Sequence, residues 1–266
     1  MKTKTLLYPL LFIFLTASQS CKKDSTTSVN STAGSSDEQL AADIAVSDSS
    51  LLCYLPFKGN LKDKSGHGNN GVLNGTISYV PDRLGNPSAA ASFAASNSWI
   101  EIPEKDFVGM KHGTIALQFY PSSTNQQELV SKMSYDAAVG SAKWYQSFTL
   151  SVESNGTIGF DLRKDGYCAA YYGGGWNPTM FSNATVKYNK WNFVAITFDD
   201  SVQKMYLNGT VVASNSKVVS PICEGEPIRL GVWWQVDPIF FTGNMDEVRI
   251  YNRVLSEKEL ERISKK

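Results

Sequence analysis

Gly243-Asn244-Met245-Asp246-Glu247-Val248-Arg249-Ile250-Tyr251-Asn252-Arg253-Val254-Leu255-Ser256-Glu257-Lys258-Glu259-Leu260 joins a strand to a helix. Met245 to Tyr251 is the strand, with apolar side chains interleaved among charged ones. Ser256 followed three residues later by Glu259 is a capping box, and Leu260 and Ile263 give the short helix its apolar face. At the other end of the folded region stands Phe57-Lys58-Gly59-Asn60-Leu61-Lys62-Asp63-Lys64-Ser65-Gly66-His67-Gly68-Asn69-Asn70-Gly71. Its Asn, Asp, Ser and Gly residues are turn formers, the first three by hydrogen-bonding their own backbone and Gly by accepting positive φ.

Between these segments the chain repeats strand, turn, strand. Leu51 to Phe57, Ile77 to Val80, Ala89 to Phe93 and Trp99 to Ile102 are short apolar or alternating runs bounded by Gly, Asn and Pro. Thr114 to Tyr120 alternates Ile115, Leu117 and Phe119 against Thr114, Ala116 and Gln118. Glu128 to Met133, Phe148 to Glu153 and Thr157 to Leu162 follow, with Asn155-Gly156 a hairpin signal. Trp191 to Phe198 is apolar on both faces, as a central strand would be, and Trp191 is assigned to the core. A second hairpin turns at Asn208-Gly209 between Lys204–Leu207 and Thr210–Ala213. No internal repeat and no second folded domain is visible.

The opening loop, the Trp191–Ser214 strand and hairpin, and the closing strand and helix together resemble bacterial laminin-G-like domains of the concanavalin A-like lectin/glucanase group. The resemblance implies an all-β, two-sheet antiparallel jelly-roll sandwich over residues 51–266, with a short C-terminal helix. It implies extracellular binding of carbohydrate or protein, with the first and last strands as neighbours. Asn60, Asp63 and Asp246 could then converge on a structural Ca²⁺. The alternative for these residues is turn chemistry alone.

The N-terminus reads as an export signal over residues 1–20. Lys2 and Lys4 precede the apolar run Leu6 to Leu15, which is too short for a membrane span. Leu15-Thr16-Ala17-Ser18-Gln19-Ser20-Cys21 resembles a bacterial lipobox of the Bacteroidetes type, making Cys21 the lipidated residue. Lys22 to Ser50 is rich in Ser, Thr, Asp and Ala without an aromatic ring, so residues 21–50 are expected to form a flexible tether. The expected location is the outer membrane, at the cell surface, with contact to the membrane only through the lipid.

Lys and Arg total 25 against 25 Asp and Glu, so no basic excess points to nucleic acid. An exported setting permits a disulfide, and Cys168 and Cys223, both in Gly-rich loops, are its expected partners. The alternative is that both stay reduced. Cys53, inside an apolar strand, is expected as a buried thiol.

A glycan site needs exposed rings for sugar C–H faces, short polar side chains for the hydroxyls, and glycines that let backbone approach. Arg163 to Asn177 has that composition. Tyr172, Trp176 and one of the adjacent Trp233 and Trp234 are the expected stacking rings, with Asp165, Asn177 and Asp237 as hydrogen-bonding partners. Catalysis on polysaccharide would need paired carboxylates, about 5–5.5 Å apart for a retaining enzyme, or a tyrosine base with a basic partner such as Arg163 or Arg229. No E-x-D-x-x-E pattern occurs, and Asp246 and Glu247, being adjacent on a strand, are expected on opposite faces. The expected function is non-catalytic glycan binding. The alternatives are a protein-binding adhesion or assembly module and a polysaccharide-degrading enzyme.

Overall fold

Period-two alternation builds two sheets here because each strand has one apolar side that only a facing sheet can cover. The computed structural model describes residues 48–93, 97–136, 143–162, 171–172, 180–216, 222, 225–233 and 238–266. The chain divides into two units, Met1–Gln39 and Leu40–Lys266, and every described residue belongs to the second.

The strands are, in order, β1 (Leu51–Leu55), β2 (Val72–Asn74), β3 (Ser78–Val80), β4 (Ala90–Phe93), β5 (Trp99–Ile102) and β6 (Gly113–Pro121). Next come β7 (Gln127–Asp136), β8 (Lys143–Val152), β9 (Thr157–Leu162), β10 (Tyr171–Tyr172), β11 (Met180–Thr185) and β12 (Asn192–Phe198). The last are β13 (Gln203–Leu207), β14 (Thr210–Asn215), β15 (Ile228–Leu230), β16 (Val232–Trp233), β17 (Ile239–Phe240) and β18 (Gly243–Tyr251), followed by helix α1 (Glu257–Ser264). Among the described residues, sheet A runs β14-β13-β12-β6-β18-β4-β3, with β1 beside the second half of β18. Sheet B runs β11-β9-β8-β7-β15-β5-β2, with β10 beside β8, and β16–β17 is a separate hairpin. Every pairing is antiparallel, as a two-sheet sandwich requires. Val72–Asn74, Met180–Thr185 and Ile228–Leu230 are strands that the apolar pattern does not announce, being short or half polar.

Leu117, Phe119, Val194, Ile196, Val248 and Ile250 of sheet A face Ile100, Val130, Leu150, Phe160 and Leu230 of sheet B in one buried cluster. Burying each such side chain is worth about 1.5–3 kcal/mol. Cys53 lies there as a free thiol, donating to the Asn69 carbonyl. A second cluster covers the opposite side of sheet A, where Leu260 and Ile263 of α1 pack with Leu255 on Ala116, Phe193, Ala195, Tyr206 and Tyr251. Ser256 and Glu259 form the expected capping box.

The chain's first and last strands are neighbours, as expected, and a bulge decides how they grip. Asp246 pairs with Gln118 and Arg249 with Ala116, so two residues of β18 oppose one of β6. Glu247 is the extra residue, with φ of 55°. Its carboxylate accepts from the Tyr54 hydroxyl at 2.9 Å and forms an ion pair with Arg249. The Arg249 guanidinium also lies 4.2 Å from the centre of the Tyr54 ring. β1 is thereby tied to β18 by a cation, an anion and a ring, all largely buried.

Gln203 sits in the inward phase of β13 with Met205 and Leu207, wholly buried. Neither of its amide atoms finds a hydrogen-bond partner among the described residues. Gln203→Met keeps the volume and removes two unsatisfied groups, so it should stabilise the fold by about 1–3 kcal/mol. The urea midpoint should rise at unchanged slope. Arg249→Ala, which strands the Glu247 carboxylate, should lower stability by about 3–5 kcal/mol in the same assay.

Candidate functional site

The opening loop folds around Asp63 as a turn. One carboxylate oxygen accepts from the backbone N–H of Tyr54 (2.9 Å) and Ser65 (2.8 Å). The other accepts from the Ser65 hydroxyl (2.7 Å) and Asn69 N–H (2.9 Å). Burial alone would raise its pKa, but these bonds outweigh that and hold the carboxyl below its ordinary value. Asn60 is likewise occupied, accepting from Lys62 N–H and donating to the Lys58 carbonyl. Among the described residues no three His, Cys, Asp or Glu side chains gather as a metal site. The Asp63 carboxylate is thus engaged within the turn, and that of Asp246 within the bulge, where it accepts the Glu247 N–H at 2.7 Å.

Asp246 and Glu247 also depart from expectation. The bulge breaks the alternation, so both carboxylates lie on the same outer side of sheet A, with Arg249 and Gln118. They are nevertheless closed off, at 3% and 8% exposure. Glu247 is held by Arg249 and Tyr54, and Asp246 accepts the Glu247 N–H. Burial first, and then the Glu247 charge, push the Asp246 carboxyl up to about 8.

The aromatic-loop residues fall mostly elsewhere. Asp165, Trp176, Asn177, Trp234, Asp237, Cys168, Cys223 and Cys21 lie outside the described residues. Tyr172 is placed by its backbone on β10, opposite Lys143 of β8, and its side chain lies outside the description. Of the adjacent pair, Trp233 is the buried member, at 8% exposure. The cause is the β16–β17 hairpin, which folds onto the outer side of sheet B, where Ser131 donates to the Val232 carbonyl.

That outer side of sheet B is polar, and its middle is buried. Glu101, Arg229, Ser131, Thr149 and Asp161 stand in register across β5, β15, β7, β8 and β9. Arg229, Ser131 and Thr149 are buried. Arg229 is fully engaged with Glu101, Glu226 and the Met133 carbonyl.

Sheet A offers the contrasting surface. α1 covers its outer side as far as Gln118, whose amide donates to the Ser264 carbonyl at 2.8 Å. One row further along the strands stand Tyr120, Asn244, Ser92 and Ser78, paired in that order across β6, β18, β4 and β3. Trp191, just before β12, extends the row and meets Tyr120 edge-on, with ring centres 5.9 Å apart. It is half-buried, not a core residue, because it shares the outward phase of Phe193 and lies at the strand's end. Tyr120, Asn244 and Ser92 are also half-buried, and Ser78 is exposed. None of these side chains hydrogen-bonds to another described residue. Gly243 keeps the row tight: a side chain there would collide with the Tyr120 carbonyl, and its φ of 148° suits glycine.

Two rings, an amide and two hydroxyls thus face outward in one line, with no hydrogen-bond partner among the described residues. Rings beside short polar side chains, the composition expected of the aromatic loops, also stand on a sheet face. The signal was present in Tyr120 and Asn244 as outward positions of two recognised strands, but only the pairing register brings them together.

A fold of two antiparallel sheets with a capped C-terminal helix defines a lectin-like sandwich. A laminin-G-like family model, described as the concanavalin A-like lectin/glucanases superfamily, matches residues 94–261, more than half of the chain, and the chain belongs to that family. No curated protein sequence matches it. Among solved structures it is similar to domain 4 of AbnA, an extracellular arabinanase from Geobacillus stearothermophilus, in complex with arabinotriose. The identity is 20%, over 80% of this chain and 98% of that one, with a TM-score of 0.52. The binding domain of Paraclostridial Mosquitocidal Protein 1 aligns at 20% identity over 81% of this chain and 52% of that one, with a TM-score of 0.59. The binding domain of botulinum neurotoxin DC, in complex with SialylT, aligns at 13% identity over 83% and 52%, with a TM-score of 0.57. The chain spans about half the length of both toxin domains, and at these identities the likeness is one of fold.

The position of Asp246 predicts a pH dependence. Its carboxyl keeps its proton to about pH 8 when folded but ionises near its ordinary 3.8 when unfolded. Between these values the folded state binds more protons, so this group's stabilisation is full below about pH 4 and is lost as pH rises towards 8. Asp246→Asn, neutral at every pH, should flatten that decline, visible as a smaller fall in melting temperature between pH 4 and 8 than in the native protein.

Proposed function

We propose that this protein binds glycan without chemically altering it, and that the outer row of sheet A is the binding surface. The observation that carries the reading is the line of Trp191, Tyr120, Asn244, Ser92 and Ser78, outward-facing and without hydrogen-bond partners among the described residues. The Trp191–Tyr120 pair offers an apolar ring surface for sugar C–H groups. Asn244 supplies two donors and an acceptor, and each serine hydroxyl both donates and accepts, which matches sugar hydroxyls. No titratable carboxylate belongs to the row, while Asp246 and Glu247 in the neighbouring segment are buried and engaged. Binding is the role these groups can fill. The arabinanase domain in complex with arabinotriose and the neurotoxin domain in complex with SialylT lend the reading support by analogy of fold.

The test is a glycan array with the purified protein, followed by titration of the captured glycan against variants. Trp191→Ala should weaken binding about tenfold or more, equivalent to roughly 1.4 kcal/mol. Its melting temperature should stay close to that of the native protein, since Trp191 lies outside the core. Trp176→Ala serves as the contrasting arm. Loss of binding in that variant but not in Trp191→Ala would move the site to the aromatic loops, and silence on the array with capture of a protein ligand would overturn the glycan reading.

A further inference from the structure

The dimensions of the row narrow what it can hold, on the reading that it is a glycan site. Its members stand on or beside β12, β6, β18, β4 and β3, successive strands of one sheet. With strands about 4.8 Å apart, the line from Trp191 to Ser78 is roughly 19 Å long.

Both ends are open. Ser78 lies exposed on β3, the edge strand of the sheet. Beyond Trp191 the next strand has already turned back at Asn208-Gly209, and both turn residues are exposed. A site for a single terminal sugar is a pocket with a wall where the chain stops, whereas this surface is a line that a ligand can enter and leave.

The five side chains are also uncharged. No member of the row answers a carboxylate or a sulfate, while amide and hydroxyl groups recur from strand to strand.

We infer that the row takes the interior of a neutral, linear polysaccharide lying across the strands. A pyranose ring is about as long as one strand spacing, so about four rings lie along the row, one for each step between strands. The Trp191–Tyr120 end anchors the chain by stacking, and Asn244, Ser92 and Ser78 each meet the hydroxyls of a successive ring. The ends of the polymer lie beyond the row and are not read.

The test uses the full chain in affinity electrophoresis through gels carrying arabinan, xylan, galactan, mannan, laminarin or starch, with alginate and pectate as charged counterparts. Oligosaccharides of the retaining polymer, from one to six units, are then titrated calorimetrically, together with the tetrasaccharide carrying a bulky tag on its reducing end. The expected result is retention by a neutral polymer and affinity rising about tenfold or more from two units to four. Affinity should level off thereafter and be unchanged by the tag. Ser78→Ala should weaken the tetrasaccharide and leave the disaccharide unaffected, since the shorter ligand stays at the Trp191–Tyr120 end. Affinity already complete with one or two units, or lost on tagging, would overturn the inference while leaving glycan binding intact. Retention by alginate or pectate alone would overturn its neutral character. Retention by none of the polymers would remove the glycan reading itself, and this inference with it.

Discussion

The structure depends on a buried cation held between an anion and a ring. Arg249 is almost wholly enclosed, and an enclosed guanidinium is tolerable only with a partner in place. Glu247 supplies the partner, and Tyr54 supplies both a ring face and a hydroxyl for the same carboxylate. The arrangement needs the bulge, since regular alternation would turn Glu247 towards the apolar core. One extra residue in β18 therefore joins the chain's first strand to its last. It also fixes the register in which Asn244 stands opposite Tyr120 and Ser92.

The same strand serves two surfaces. Its second half is gripped by β1 and covered by α1, and its first half runs beside β4, where Asn244 is half-buried. α1 stops at Gln118, and this margin separates buried polar chemistry from open polar chemistry. On sheet B the middle of the polar row is buried, beside a hairpin and within internal ion pairs. On sheet A the row beyond the helix remains available. Which face can bind is thus decided by what packs over each sheet, since both faces carry polar side chains.

Much of the fold was legible in the chain. Apolar or alternating runs located β1, β6 and β9, a run apolar on both faces located β12, Asn-Gly pairs located two hairpins, and Ser256 with Glu259 located the helix. Met180–Thr185 escaped because the exposed Phe181 stands in its outward phase while its inward positions include Ser182 and Ala184, so the pattern is weak. Asp246 and Glu247 were misread because a bulge is a property of pairing, and a lone strand does not reveal that its partner has one residue fewer. Trp191 was misread for a similar reason. Hydrophobicity argued for the core, while its place just before the strand, in the outward phase, set it on the surface. The open row was hidden most completely, since its members are scattered from Ser78 to Asn244 and share only a register.

The antiparallel pairing of β1 with β18 has a mechanical consequence. Leu51 lies opposite Tyr251 at one end of β18, and the open row crosses β18 at its other end. Tension applied to the chain ahead of Leu51, with a ligand held at the row, pulls β1 lengthwise along its neighbour. The hydrogen bonds between the two strands are then loaded in shear and resist together, instead of opening one after another like a zip. Arg253, bonded to Asp48 just ahead of β1, takes up the same load first. Along the line that joins its N-terminal side to its exposed face, the sandwich is loaded in shear.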